Sequence, residues 1–188
     1  ARSYNLPCTH LNHSYSQADK IFYSIFPSPL GPIGLAFTSQ GLCRIKIQIA
    51  SEMKFRYELK ADFHSIPNKQ EPKNNLKKQF DLYFAGKLRE FSCPLDLDIG
   101  EATVFQKKTW RKLLTIPYGS TRSYEWLAKA IGNAKAYRAA GNANGQNPLP
   151  IIIPCHRIVR KNGDLGGYTG GTHIKHFLLE LEKNHASL

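Results

Sequence analysis

The chain lacks any apolar run near the roughly 20 residues of a membrane span. Its longest such run, around Ile151, Ile152 and Ile153, is strand-sized. It is poor in acid: 14 Asp and Glu stand against 26 Lys and Arg, a net charge of +12 with a pI near 9.6. It holds only four cysteines, Cys8, Cys43, Cys93 and Cys155, with no CxxC pair among them. That spacing disfavours a zinc ribbon and a thioredoxin-like motif. The opening residues, Ala1 to Pro7, have no apolar stretch of the signal-peptide kind, which favours a reducing compartment and free thiols. The chain opens on Ala1 rather than Met, which leaves room for a longer parent chain. No internal repeat or low-complexity tract is present. What is there is enough apolar material, 41% of 188 residues, for a core that needs no disulfide staples.

The basic excess is uneven. Residues 1–100 carry 13 basic and 9 acidic side chains, net +4, and residues 101–188 carry 13 and 5, net +8. A polyanion partner fits this balance, and so does a merely basic soluble protein. The split puts a nucleic-acid surface in the second half.

Residues 1–20 read as polar and loose. Strands are expected over 21–26, 33–38 and 42–49, with Ser39-Gln40-Gly41 as a hairpin connection. A loop over 65–75, a helix over 75–85 and a strand over 90–97 follow. After Gly100 a helical pattern takes over, starting with a helix over 103–115 that carries Phe105, Trp110, Leu113 and Leu114. The fold class is α+β: an N-terminal small antiparallel sheet with helix over 1–100, then a mostly helical unit over 101–188.

Tyr124, Leu127, Ala128 and Ile131 fall on one helical face, with Ser123 as cap and Glu125 in the first turn. Ala136, Ala139, Ala140 and Ala143 form a second such face directly after Gly132-Asn133, with Lys135, Arg138 and Asn142 opposite. Two short helices, the second with a polar basic face, fit a helix-turn-helix as well as an ordinary helical hairpin.

An apolar strand over 149–153 is expected to run into Pro154, with Cys155 at its exit and His156 and Arg157 next. A thiol needs positive charge or a base to become a good nucleophile at neutral pH, and these two neighbours are candidates. A buried inert cysteine is the alternative. In the last helix, over 173–184, Ile174, Phe177, Leu178 and Leu181 make the apolar stripe, Glu182 lies on its flank and Glu180 points away. An inward-leaning Glu182 needs a donor, and an imidazole N–H would serve.

Asn147-Pro148, the run Ile153-Pro154-Cys155-His156-Arg157-Ile158-Val159, Gly163, and Gly167-Tyr168-Thr169-Gly170-Gly171 form a specific combination. Tyr137-Arg138-Ala139-Ala140-Gly141 and Ile116-Pro117-Tyr118-Gly119 extend it. The chain closely resembles the O6-alkylguanine-DNA alkyltransferases over nearly its whole length. That resemblance implies an RNase H-like N-terminal unit and a C-terminal alkyl-acceptor domain that presents its helix-turn-helix to the minor groove. It implies direct reversal of damage in double-stranded DNA, with the alkyl group of O6-alkylguanine, and by extension O4-alkylthymine, moved irreversibly to Cys155. It implies single turnover, no cofactor, a monomer with cooperative assembly on DNA left open, and a bacterial cytoplasmic or eukaryotic nuclear setting.

Carried over by residue, His156 is the base acting through a water, Glu182 holds its ring, and Asn147 braces the cysteine turn. Tyr124 donates to the leaving guanine, and the carbonyls of Cys155 and Ile158 read its exocyclic amine. Thr169 contacts O6, and Tyr168 and Pro150 line the pocket. Arg138 fills the stack behind the extruded base, and Lys135, Asn142, Ser123, Ala139 and Gly141 meet the DNA. Some members hold zinc in the N-terminal unit. Here Thr38 and Cys43 fall where a cysteine and a histidine would be, so no metal is expected, with Cys8 and His10 the residual candidates. Gly145 replaces a basic residue found in some members. Two rival functions remain: an alkylguanine-binding module, which would lack the acceptor thiol, and a cysteine hydrolase.

Overall fold

The computed structural model describes residues 20–72, 75–98 and 100–186. The expected looseness of 1–20 therefore falls, apart from Lys20, outside the described residues, as do Cys8 and His10. A four-stranded sheet opens the chain. Strands β1 (Phe22–Phe26), β2 (Ile33–Phe37) and β3 (Leu42–Ile47) pair antiparallel, and β4 (Asn68–Lys69) adds parallel to β1, in the order β3-β2-β1-β4. Every residue of β2 is buried, as the central strand of a sheet covered on both faces must be. On one face lies α1 (Glu52–Phe63), anchored by Phe55 and Leu59. On the other, α2 (Leu76–Phe84) contributes Leu76, Phe80 and Tyr83 to the main core.

That core runs on without a break into the helical part. It includes Trp110 and Leu113 of α3 (Val104–Leu113), Leu127 and Ala128 of α4 (Tyr124–Ala130), Ala140 of α5 (Tyr137–Gly145), and Ile174 and Leu178 of α6 (Thr172–His185). Backbone bonds also cross: the Ile45 N–H donates to the Pro148 carbonyl at 2.8 Å. The indole of Trp110 donates to the Ala143 carbonyl at 2.8 Å, fixing α3 against α5. Two short strands, β5 (Arg122–Ser123) and β6 (Ile158–Val159), pair parallel and set the start of α4 beside the segment after Cys155.

Several expectations need correction. The strand over 90–97 does not form. The segment crosses the edge of β3 for one bridge, Leu42 to Leu95, because Pro94 has no N–H with which to continue a ladder. The loop over 65–75 contains β4, and α1 has no counterpart in the sequence reading. The run 149–153 is buried but is not a strand. It closes as a turn, with the Ile153 N–H donating to the Leu149 carbonyl at 2.8 Å and Ile151 at φ +77°. A short apolar run buried all round carries no period, so strand and turn look alike in sequence. Helix α5 starts at Tyr137, which leaves Lys135 in the preceding turn. Its buried face is Ala140, Ala143 and Asn144, while Ala139 is exposed. In α6 the buried stripe is Ile174, Lys175, Leu178 and Glu182, and Phe177 stands at its exposed edge. Leu114, expected on the helix over 103–115 and placed at the C-cap of α3, is also exposed.

Candidate functional site

Cys155 opens a 3-10 turn, Cys155–Arg157, that Asn147 holds in place. The Asn147 amide donates to the Ile153 carbonyl at 2.8 Å, and its oxygen accepts from the Leu149 N–H at 2.9 Å. The turn breaks strand alternation, so the neighbours His156 and Arg157 both reach Glu182. The thiol faces an open cleft of about 810 Å³ that Tyr124, Tyr168 and Thr169 also line. One wall of the cleft is α5, through Tyr137, Arg138 and Gly141. The other is the segment after β6, including Arg160, Lys161 and Gly166. Gly166, at φ +66°, lets that wall reach Tyr124: a Cβ there would stand 2.9 Å from the phenol oxygen.

Behind the turn, His156 and Glu182 are both fully buried and meet at 2.8 Å, from His156 Nε2 to Glu182 Oε1. Glu182 also accepts from Tyr83 Oη at 2.8 Å, Arg157 Nη2 at 2.9 Å, Arg157 Nε at 2.8 Å and the Gly119 N–H at 3.1 Å. Burial alone would raise its pKa, but the hydrogen bonds of His156 and Arg157 and the Arg157 charge outweigh that and hold the carboxyl well below the usual range. An ionised carboxylate only accepts, so the ring proton of His156 sits on Nε2. Burial lowers the His156 pKa against the opposing pull of Glu182, so the ring is neutral and Nδ1 is an acceptor. Nδ1 is buried with no hydrogen-bond partner among the described residues. Arg157, expected near the thiol, turns away to Glu182, and its Nη1 donates to the Ile116 carbonyl at 2.6 Å.

Burial also pushes the Cys155 thiol up, partly offset by the side chain of Asn147 and the charge of Lys175. Lys175 has no place in the sequence reading. It is fully buried with no carboxylate partner among the described residues, and its Nζ donates to the carbonyls of Ile158 at 2.5 Å, Leu165, and Gly167 at 3.5 Å. Burial brings its pKa down to about 8. Tyr83 and the Gly119 N–H were also missed. The signal for Gly119 was its own occurrence in a Pro-Tyr-Gly turn, at φ +72°, where a Cβ would strike Ala186 at 2.6 Å.

The carbonyl of Cys155 takes two donors, the Asn144 amide at 3.3 Å and the Ile158 N–H. The carbonyl of Ile158 takes Lys175. The Thr169 hydroxyl donates to the Gly145 carbonyl at 2.6 Å. Pro150 sits in the 149–153 turn, bridged to Ile153, and is not among the cleft-lining residues. Ser123 caps α4, accepting from the Trp126 N–H at 3.1 Å. Lys135, Arg138, Ala139 and Asn142 are exposed on or beside α5, and Gly141 is half-buried against Tyr124.

The zinc-site positions carry other chemistry. Thr38 donates to Asp96 Oδ2 at 2.6 Å. The Cys43 thiol donates to the Ala36 carbonyl at 3.3 Å, and burial pushes it up to about 12, far from a thiolate ligand. Among the described residues no three His, Cys, Asp or Glu are grouped to hold a metal ion. Nor, among them, is any helix long and apolar enough to cross a membrane.

Comparison with known proteins places this architecture in a class, the DNA methyltransferases that act on 6-O-methylguanine. The model of the 6-O-methylguanine DNA methyltransferase ribonuclease-like domain matches residues 21–97, and that of the DNA binding domain matches 104–184. The methylated-DNA–protein-cysteine methyltransferase of Methanosarcina barkeri is 44% identical over 87% of this chain and 98% of its own length. That of Mycobacterium tuberculosis is 43% identical over 88% of this chain and 94% of its own. The crystal structure of the Mycobacterium tuberculosis O6-methylguanine methyltransferase superposes with a TM-score of 0.74 at 41% identity, covering 88% of this chain and 94% of that one. The structure of the same organism's protein in complex with DNA gives 0.73 at 41% identity, over 87% and 94%. The chain belongs to the methylated-DNA–protein-cysteine methyltransferase family.

Proposed function

We propose that the protein repairs O6-alkylguanine in double-stranded DNA by moving the alkyl group onto Cys155. The observation that carries this reading is a thiol at the floor of an open cleft, backed by a neutral histidine whose proton-bearing nitrogen is tied to a buried carboxylate. In the step, the Sγ–carbon bond forms as the carbon–O6 bond breaks, and the electron pair stays on O6. The thiol proton leaves through a water to His156 Nδ1, and Tyr124 donates to a ring nitrogen of the departing guanine. The product is a thioether, which is not readily reversed, so each molecule acts once. No cofactor enters the balance. O4-alkylthymine presents the same alkyl–oxygen bond and is a second substrate.

The O6 substituent of a stacked base is out of reach of an in-line thiol, so the nucleotide must be extruded at a cost of a few kcal/mol. Helix α5 enters the minor groove, and Arg138, exposed on the cleft's α5 wall, fills the vacated stack. Asn147 braces the turn. Ile158, Thr169 and Tyr168 meet the base, and Lys135, Asn142, Ser123, Ala139 and Gly141 serve the groove. Residues 1–100 form the ribonuclease-like domain and 101–188 the DNA-binding acceptor domain. The setting is wherever the chromosome lies, the cytoplasm of a bacterium or archaeon.

The test is to mix the protein with a duplex bearing O6-methylguanine and measure intact mass. One methyl group added and mapped to Cys155, and none in Cys155→Ala, is the expected result. Lesion binding without added mass would indicate a binding module instead. Repair by Cys155→Ala as fast as by the parent would overturn the assignment.

A further inference from the structure

The cleft carries a second set of cations that the proposed alkyl transfer does not use. Arg160 and Lys161 are exposed on the wall that faces α5, and neither has an ion pair among the described residues. They are not on a loose loop. The Arg160 N–H donates to the Asp164 carbonyl at 2.8 Å, and the Gly163 N–H donates back to the Arg160 carbonyl at 2.9 Å. The carboxylate in that turn, Asp164, is taken by the Asn162 amide at 2.8 Å, not by Arg160. Glu125 is the one carboxylate on the cleft lining, which also carries three cations, Arg138, Arg160 and Lys161. It sits in the field of both Lys161 and Lys129.

A nucleotide whose base lies in the cleft must leave its two phosphates at the mouth. We propose that Arg160 and Lys161 hold those phosphates, opposite Arg138, and so keep the extruded nucleotide from falling back into the duplex. Guanidinium and ammonium groups suit phosphate oxygens, and phosphate contacts position a nucleic acid without reading its sequence. The assignment rests on the proposed extrusion of the lesion into this cleft.

The experiment compares the parent with the Arg160→Ala, Lys161→Ala double variant on two alkyl donors. One donor is a duplex with O6-methylguanine at several salt concentrations. The other is the free base O6-benzylguanine, which has no phosphates. The variant is expected to match the parent on the free base and to lose about tenfold in rate on the duplex at low salt, with a salt slope shallower by about 0.9 for each lost contact. Exposed Lys183, which lies outside the cleft lining, is the control: Lys183→Ala should leave the slope unchanged. Equal losses on both donors, no loss on the duplex, or the same slope change in Lys183→Ala would each overturn the assignment. A parent that takes an alkyl group from neither donor overturns the functional reading itself, and this inference with it.

Discussion

Glu182→Gln removes one charge and almost no volume, so its effect isolates the electrostatics behind the cysteine turn. The carboxylate accepts five hydrogen bonds, two of them from Arg157 at 2.8 and 2.9 Å. A glutamine has one oxygen and one NH2. Turned one way, its NH2 faces Tyr83, His156 and Arg157 Nη2; turned the other, it faces Arg157 Nε and the Gly119 N–H. Either way a donor meets donors, and the Arg157 guanidinium, 6% exposed, loses its counter-charge. Breaking a buried pair on one side costs about 3–5 kcal/mol, against a total stability of about 5–15 kcal/mol for a domain. The folded-state pKa of Glu182 is depressed, so its stabilisation is present above the unfolded value of about 4.3 and fades as pH falls through the lower folded value. Urea unfolding at pH 7 should therefore show the full loss, and the gap between parent and variant should narrow in acid. Glu180→Gln, on an exposed pair 3.9 Å from Lys183, should cost less than about 1 kcal/mol. A Glu182→Gln loss below about 1 kcal/mol at pH 7, or one no larger than that of Glu180→Gln, would refute the reasoning.

Gly166→Ala puts a Cβ 2.9 Å from the Tyr124 hydroxyl at φ +66°, and should slow alkyl transfer while lowering stability by about 1 kcal/mol or more; unchanged kinetics would show that the wall yields freely. Burial lowers Lys175 to about 8, so the unfolded chain binds more protons between pH 8 and the free-lysine value of about 10.4, and stability rises with pH there. Denaturant titrations over pH 8–10 should show the parent gaining on Lys175→Met, and parallel curves would contradict this. Because burial raises the Cys155 thiol, iodoacetamide should alkylate it slowly at pH 7 and faster as pH climbs past the ordinary thiol value of about 8.5. A plateau below pH 8 would mean a thiolate at rest.

The parts of the fold with a clean period were legible. The three antiparallel strands, α2, α3 and α4 stand close to where alternation or helical spacing puts them. Helix α1 was not, because only Phe55 and Leu59 of its twelve residues are buried and Met53 and Tyr57 face solvent. Its start was signalled all the same: Ser51 caps it, accepting from the Lys54 N–H at 3.1 Å, with Glu52 in the first turn. In α6 the apolar period misled by one position. Lys175 is buried where a helical wheel gives it to solvent, since three backbone carbonyls replace the water it gives up. Helix register put Glu182 on the buried flank and its need for a donor followed, but the choice of His156 as that donor came only with the family resemblance. Arg157 as that carboxylate's bidentate partner was not, because the 3-10 turn that aims it cannot be read from an apolar run.

The two kinds of charge in the second half have opposite jobs. The Glu182–Arg157 pair is sealed inside and presents no net charge to the cleft. Arg138, Arg160 and Lys161 stand outside, exposed on the cleft rim. Between the two sets lie Cys155 and His156, both kept neutral by burial. A resident thiolate would be alkylated by any electrophile that entered an open cleft, and under the proposed single-use transfer each such event would discard the molecule. Burial keeps the sulfur protonated, and the fixed Nε2–H of His156 keeps Nδ1 ready to take that proton. In the proposed function the rim cations would bring many DNA sites past this thiol without activating it. Reaction therefore waits for an occupant that completes the proton path and supplies a leaving group, which links the selectivity of the chemistry to the filling of the cleft rather than to the grip on DNA.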